Sequence, residues 1–189
     1  MICQFLAPGF EETEAIAPLD IARRAGIEIV TVGIEGKIVT GSHGIPITAD
    51  YSAGELDLSQ ISGVVLPGGM PGAKNLESSS FVKAAVMQAF EKGEMIAAIC
   101  AAPYLLGRWG ILEGKEAICF PGYESELSGA RLSQKNVVTD GNVITARAAG
   151  WAVPFGLAIA EYQKGREKAD EIAASIQLAD FWAEVKRNE

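Results

Sequence analysis

Short apolar runs alternate along this chain with segments of helical periodicity, and this alternation limits the folds open to it. Residues 2–6 and 27–32 are predicted strands, and residues 11–25 form a predicted helix between them that ends at Gly26. Strand, helix and strand in this order are typical of a parallel sheet with right-handed crossovers. Because the strands are apolar almost throughout, we expect helices on both faces of the sheet.

The rest of the chain repeats this pattern. Further strands are predicted at residues 63–66, 96–99, 116–120 and 136–147, a hairpin at 37–49, and helices at 81–92, 102–106, 151–162 and 168–185. A length of 189 residues, 49% of them hydrophobic, predicts one domain over residues 1–189. The predicted fold class is α/β, a sandwich with a mostly parallel central sheet.

Charge and composition exclude several classes of partner. The formal net charge of -8 argues against nucleic acids and anionic membranes. One histidine and three dispersed cysteines argue against a metal site, and the odd number of thiols favours a reducing compartment. The beginning of the chain, MICQFLAPGFEETEA, does not resemble a signal peptide, and no apolar run approaches about 18 residues. We therefore expect a cytoplasmic protein.

Chemically active groups follow three predicted strands. The sequence APGFEETEA follows the first strand, PGGMPGAKN follows GVVL, and Cys100 follows MIAAI. Ligands of open parallel sheets bind at the carboxyl ends of the strands, so carboxylates, glycine amides and a thiol are expected to meet there. The glycine loop contains neither GxGxxG nor GxxxxGK[ST], which argues against a nucleotide cofactor.

Cys100 has two interpretations from the local sequence. A buried free cysteine is usually a small packing residue. Alternatively, Ala98 and Ala102 leave space for a sharp strand-to-helix turn, where the start of the next helix favours a thiolate. Glu14 is a candidate hydrogen-bond partner if a dry site keeps it protonated. A glycine-loop amide with that of Ala101 is a candidate oxyanion site, although a plain turn fits the same glycines.

Four segments together resemble the ThiJ/PfpI superfamily, in the branch of the Parkinson-disease protein deglycase and its bacterial relatives. They are GFEETEAIAPLDIARRAGI, VVLPGGMPGAKNL, IAAICAAP and ITARAAG. The resemblance implies that Cys100 is an oxidisable cysteine of low pKa, that Glu14 hydrogen-bonds to it, and that Gly69 and Ala101 supply oxyanion amides. It also implies a flavodoxin-like fold, a homodimer with the first helix in the interface, and Arg147 near the site.

Three positions depart from this family or remain ambiguous. Phe120 stands where some members carry histidine, and Ala101 stands where the protease-like branch has histidine, so peptidase activity is disfavoured. His43 is consistent with an ordinary residue of a hairpin loop. The resemblance implies instead that it could reach Cys100 of the partner subunit. Cys119 fits core packing better than a secondary redox role.

Two functions of different classes follow from the resemblance. The first is a cofactor-free glyoxalase or deglycase that acts on methylglyoxal, glyoxal or their early adducts, with a role in carbonyl and oxidative stress. The second is a redox sensor or holdase chaperone that uses oxidation of Cys100 without useful turnover. Both require a reactive Cys100 thiol, so the sequence alone does not separate them.

Overall fold

A seven-stranded sheet lies at the centre of the molecule. The structure is a computed structural model that describes residues 1–187. The strands are β1 (Ile2–Leu6), β2 (Ile29–Gly33), β3 (Ile38–Thr40), β4 (Pro46–Thr48), β5 (Tyr51–Ser52), β6 (Gly63–Leu66), β7 (Met95–Ile99), β8 (Glu116–Ala117), β9 (Arg131–Leu132), β10 (Val137–Asp140) and β11 (Val143–Ala146). The helices are α1 (Glu12–Arg24), α2 (Gly72–Ser78), α3 (Ser80–Glu91), α4 (Pro103–Arg108), α5 (Ala152–Lys164), α6 (Arg166–Ser175) and α7 (Ala179–Arg187).

The order of the strands brings the three functional segments to neighbouring strand ends. The sheet runs β10-β11-β7-β6-β1-β2-β5, and β10 is antiparallel to β11 while the other pairs are parallel. Strands β1, β6 and β7 are therefore adjacent, and the segments that follow them lie at one edge of the sheet. The predicted hairpin is also present, because β3 pairs antiparallel with β4.

Helices cover both faces of this sheet. One apolar cluster contains Leu76 of α2, Val82 of α3 and Leu105 of α4. The other contains Ile21 of α1 and Phe155 of α5. Complete burial of each such side chain stabilises the fold by about 1.5–3 kcal/mol. The predicted α/β class with a mostly parallel, doubly covered sheet is confirmed. None of the helices within residues 1–187 has the length and apolar character needed to cross a bilayer.

Three predicted elements differ from those observed. The single helix predicted at 168–185 is wrong, because α6 and α7 are separated near Gln177, whose φ is 60°. Helix α2 was not among the predicted elements. The strand predicted at 116–120 shortens to β8, which pairs with β9 outside the main sheet. The predicted segment 136–147 divides into β10 and β11 at Gly141, as the Asp-Gly turn indicates.

Candidate active site

Cys100 occupies a strained turn between β7 and α4. Its φ of 66° lies in the left-handed region, which a non-glycine residue adopts only when its surroundings hold it there. Two hydrogen bonds do so: the Cys100 N–H donates to the Ala146 carbonyl at 2.9 Å, and the Phe120 N–H donates to the Cys100 carbonyl at 2.7 Å. The turn leaves the Cys100 side chain only partly buried, as a nucleophile requires.

Glu14 reaches the same point from the first turn of α1. Glu11 caps this helix, because its carboxylate accepts the Glu14 N–H at 2.7 Å. The Glu14 side chain is buried, and its Oε2 accepts the Gly68 N–H at 3.0 Å. It also lies within hydrogen-bonding range of the Cys100 thiol and the Ala149 amide. The structure therefore brings the predicted Glu14–Cys100 pair together.

Gly68 is the residue that allows this contact. A Cβ atom at this position would lie 2.6 Å from Glu14 Oε2 and 2.7 Å from Cys100 Cβ. Only glycine fits between the carboxyl group and the cysteine. The neighbouring Gly69 was predicted to lie at the site, whereas Gly68 and Ala149 were not, although the repeated glycine in PGGMPG is a signal for Gly68.

The predicted amide pair also lies at Cys100. The Gly69 and Ala101 backbone N–H groups face the sulfur, and their hydrogen bonds act to lower the pKa of the thiol. Gly69 has a φ of +86°, and a side chain there would strike the backbone of Glu11 at 2.4 Å. The backbone at both positions is thus available to an anion formed at or beside the sulfur.

The protonation of Cys100 depends on Glu14. Burial raises the pKa of Glu14 to about 7. Burial, the Glu14 charge and the hydrogen bond to Glu14 raise the pKa of the Cys100 thiol to about 12. The start of α4, which has only six residues, therefore does not outweigh burial and Glu14, although the Ala101 amide acts to lower the pKa of the thiol. A thiolate forms readily only while Glu14 keeps its proton and donates a hydrogen bond to the sulfur.

His43 is bound to a different glutamate. Its Nδ1 lies 2.8 Å from Glu12 Oε2, and its backbone N–H donates to Glu12 Oε1 at 2.8 Å. Ligand atoms of Glu11, Glu12 and His43 lie within 4.8 Å of one another. Glu12 already accepts these hydrogen bonds and Glu11 caps α1, so the cluster has structural roles. A contact from His43 to a partner's Cys100 stays a prediction.

Arg147 follows β11 and lies near Cys119. Its backbone N–H donates to the Asn136 carbonyl, while its Nε is buried without a hydrogen-bond partner among residues 1–187. Burial raises the pKa of Cys119 to about 11, and the Arg147 charge opposes that shift. Cys119 is fully buried, as expected for a packing residue.

Comparisons with known proteins agree with this fold. Residues 1–162 match the model of the DJ-1/PfpI family. Protein dj-1beta of Drosophila melanogaster is 38% identical over 177 residues, which cover 92% of this chain and 95% of the fly protein. The Parkinson disease protein 7 homolog of Danio rerio is 37% identical over 180 residues, covering 93% and 95% of the two chains. The structure described as oxidized Toxoplasma gondii DJ-1 has a TM-score of 0.90 at 29% identity, covering 94% and 98%.

Proposed function

The chain belongs to the DJ-1/PfpI family, and from that premise we propose that it is a cysteine-dependent, cofactor-free glyoxalase or deglycase. Its substrates are methylglyoxal, glyoxal or their early adducts with thiols and amines, and its role lies in carbonyl and oxidative stress. One observation carries the proposal: the Cys100 thiol lies at a strained turn beside a buried Glu14 carboxyl group and two backbone amides. This set supplies a nucleophile, a proton carrier and an oxyanion site.

The first step forms a hemithioacetal. The Cys100 sulfur adds to the aldehyde carbon, the carbonyl π electrons move to oxygen, and the Gly69 and Ala101 amides stabilise that oxygen. The proton that leaves the thiol passes through Glu14 to the oxygen, so the hemithioacetal is neutral. Glu14 is again a carboxylate when the proton has been delivered.

The second step transfers a proton within the substrate. The Glu14 carboxylate removes the proton from the former aldehyde carbon, and the negative charge moves to the neighbouring carbonyl oxygen to give an enediolate. The proton of the hydroxyl group on the first carbon passes to that oxygen, and Glu14 returns its own proton to the neighbouring carbon. The neighbouring carbon is thereby reduced to an alcohol, while the first carbon is oxidised to a thioester. Water then cleaves the thioester, releases the α-hydroxy acid and restores the thiol. The reaction is an internal redox exchange plus water, so it needs no external oxidant, reductant or cofactor.

The pKa of Glu14 suits both of these roles. Because burial raises that pKa to about 7, the acid and the carboxylate are both populated near neutral pH. A general acid–base group works best when its pKa lies near the operating pH. An ordinary exposed glutamate has a lower pKa and would be a weaker acceptor of the thiol proton in the first step.

The proposal includes a cytoplasmic homodimer with α1 in the interface. Ile16 on α1 is an exposed large apolar side chain. Ala17 and Val153, on the packed pair α1 and α5, are partly buried in a single chain. A second copy would cover these apolar atoms and favour association. Sedimentation equilibrium of the wild type and of Ile16→Asp tests this part of the proposal, since the charge should shift the protein to monomer.

Redox sensing or holdase activity is the alternative function. The same groups favour this function. The Gly69 and Ala101 amides and a protonated Glu14 can also stabilise a sulfinate on Cys100. Peroxide would oxidise the thiolate to sulfenic acid with release of water, and a second peroxide would give the sulfinic acid. The oxidized Toxoplasma relative is consistent with such chemistry in a similar fold.

Lactate formed from methylglyoxal without glutathione decides between the two functions. We expect many turnovers per subunit from the wild type, none from Cys100→Ser, and near wild-type turnover from the control Cys119→Ser. Equal turnover in Cys100→Ser would overturn the proposed enzyme. No turnover in any of the three would favour the sensor, which predicts stoichiometric oxidation of Cys100 at low peroxide concentration, measured as a mass increase of the intact protein.

A further inference from the structure

One buried amide side chain interrupts an otherwise apolar strand. Gln4 is fully buried in the middle of β1. The other residues of this strand are Ile2, Cys3, Phe5 and Leu6. The Gln4 Nε2 donates to the Ala15 carbonyl of α1 at 2.9 Å, while its Oε1 is buried without a hydrogen-bond partner among residues 1–187. Because an unpaired buried oxygen costs free energy, the stability of the core does not explain why an amide stands here.

The amide of Gln4 contacts the turn of α1 that carries Glu14. Ala15 directly follows Glu14 and is also fully buried. Strand β1 is paired on both sides at this level, with Thr31 of β2 and Val65 of β6 opposite Gln4. The two neighbouring strands therefore hold the backbone of Gln4 in place. Its hydrogen bond ties the backbone next to Glu14 to the centre of the sheet.

Pro18 makes the first turn of α1 depend on this contact. It lies inside the helix four residues after Glu14, and proline has no N–H to donate to the Glu14 carbonyl. The turn thus lacks one of the helical hydrogen bonds that would join it to the rest of α1. The orientation of the same turn decides whether the Glu14 side chain reaches the Gly68 amide and the Cys100 thiol.

We propose that Gln4 is a positioning residue for the nucleophile: its amide holds the first turn of α1 on the sheet and thereby directs the Glu14 carboxyl group to Cys100. Gln4 acts through the backbone of Ala15 rather than on the substrate. The inference rests on the function proposed above for its effect on turnover, whereas the position of Glu14 can be measured without turnover. Gln4→Met is the variant of choice, because methionine has a similar length and volume but donates no hydrogen bond.

The pH dependence of Cys100 alkylation by iodoacetamide reports on Glu14. Burial raises the pKa of Glu14 to about 7, and the ionised carboxylate raises the pKa of the thiol, so the wild-type rate should have an inflection near pH 7. Glu14→Gln should remove this inflection. In Gln4→Met a displaced Glu14 would be better hydrated, and the inflection should move from about 7 towards 4.5, the ordinary pKa of the group. The mass of the peptide that contains Cys100 measures alkylation at this thiol.

Turnover of methylglyoxal is the second readout. A displacement of about 1 Å in a catalytic group can cost about 100-fold in rate, so we expect kcat of Gln4→Met to fall by up to about 100-fold. Gln88→Met is the matched control, because the Gln88 Nε2 also donates to a backbone carbonyl, that of Leu58, at 2.6 Å. Leu58 precedes β6, whereas Gly68 follows it, so this contact lies at the opposite end of the strand. Gln88→Met should keep the wild-type inflection and kcat.

Pro18→Ala tests why the first turn needs Gln4. Alanine restores an N–H for the Glu14 carbonyl, so the helix itself would hold the turn. We expect Gln4→Met to shift the inflection less in the Pro18→Ala background than in the wild-type chain. A shift of the same size in both backgrounds would overturn the proposed dependence of the turn on Gln4. Gln4→Leu, a second apolar replacement of similar volume, should behave as Gln4→Met does and serves if the methionine variant does not fold.

The two readouts separate this inference from the proposed enzyme. An unchanged inflection in Gln4→Met, or an equal shift in Gln88→Met, would overturn the role of Gln4 even if the wild type turns over methylglyoxal. A shift confined to Gln4→Met, with no turnover by the wild type, would refute the proposed enzyme while supporting Gln4 as the residue that positions Glu14.

Discussion

Glu12 and Glu14 are two residues apart on α1, both are buried, and their pKa values shift in opposite directions. Burial raises the pKa of Glu12, but hydrogen bonds from His43 and the Ile45 amide outweigh it and lower the pKa to about 2. Burial raises the pKa of Glu14 to about 7, and the Cys100 thiol and the Gly68 amide oppose it only in part. Low exposure alone therefore does not decide whether a glutamate is ionised, because the number and strength of its donors also count.

The geometry of a helix explains why these neighbours have such different surroundings. Successive residues are about 100° apart around the axis, so positions two apart point in nearly opposite directions. Glu12 faces the loop of the β3–β4 hairpin, where His43 and Ile45 supply donors. Glu14 faces the ends of the central strands, where Gly68 and Cys100 lie. One turn of helix thus holds a fixed charge and a titrating acid.

Replacing each glutamate by glutamine should have the largest effect on this comparison. Glu14→Gln removes the proton carrier, and we expect kcat for methylglyoxal to fall by about 100- to 10,000-fold. Glu12→Gln should change it by less than about threefold, because its carboxylate contacts the hairpin rather than Cys100. Lactate formation by both variants at pH 7 is the measurement. Full activity in Glu14→Gln would refute the mechanism, and a comparable loss in Glu12→Gln would place His43 in the reaction.

Gly68→Ala should separate Glu14 from Cys100 without removing either group. The new methyl group would overlap Glu14 Oε2 and Cys100 Cβ, and a displacement of about 1 Å in a catalytic group can cost about 100-fold in rate. Gly54→Ala is a matched control, because a Cβ there meets no atom within 4 Å among the residues described. We expect kcat to fall about 100-fold in the first variant and to stay near wild type in the second. Equal rates would show that the close contact at Gly68 is unimportant for turnover.

The same two glutamates indicate what the sequence could and could not predict. The strand-end rule and the family resemblance identified Cys100 and Glu14, because strand order brings the ends of β1, β6 and β7 together. Neither indicated that Gly68 must lie between them, since that depends on how closely two separate loops approach. Nor did they indicate the raised pKa of Cys100, which arises from burial and from Glu14. The break at Gln177 was missed because neither glycine nor proline marks it.

The fixed charge on Glu12 should contribute to stability in a pH-dependent way. The pKa is 4.5 in an ordinary environment and about 2 in the fold, so this contribution is fully present above pH 4.5 and is lost as the pH falls towards 2. Because the paired His43 side chain is exposed, solvent screens the interaction, and we expect Glu12→Gln to lower the free energy of unfolding at pH 7 by about 1 kcal/mol and to flatten its decline below pH 4.5. Urea denaturation at several pH values measures the free energy of unfolding and its decline in acid. An unchanged decline in the variant would show that a group other than Glu12 causes the acid dependence.

The smallest predicted effect is on the titration of His43. The hydrogen bond and the charge of Glu12 raise the pKa of this histidine above 6.5, so the protonated ring persists to higher pH in the fold than in the unfolded chain. The contribution of His43 to the free energy of unfolding is therefore present below pH 6.5 and is lost as the pH rises through the raised pKa. Because the chain contains one histidine, proton NMR gives a single, unambiguous imidazole titration. We expect the midpoint to lie above 6.5 in the wild type and to return towards 6.5 in Glu12→Gln. A wild-type midpoint at or below 6.5 would show that His43 and Glu12 do not form the pair. A shift of the midpoint in Cys100→Ser would show that His43 senses the nucleophile of a second subunit.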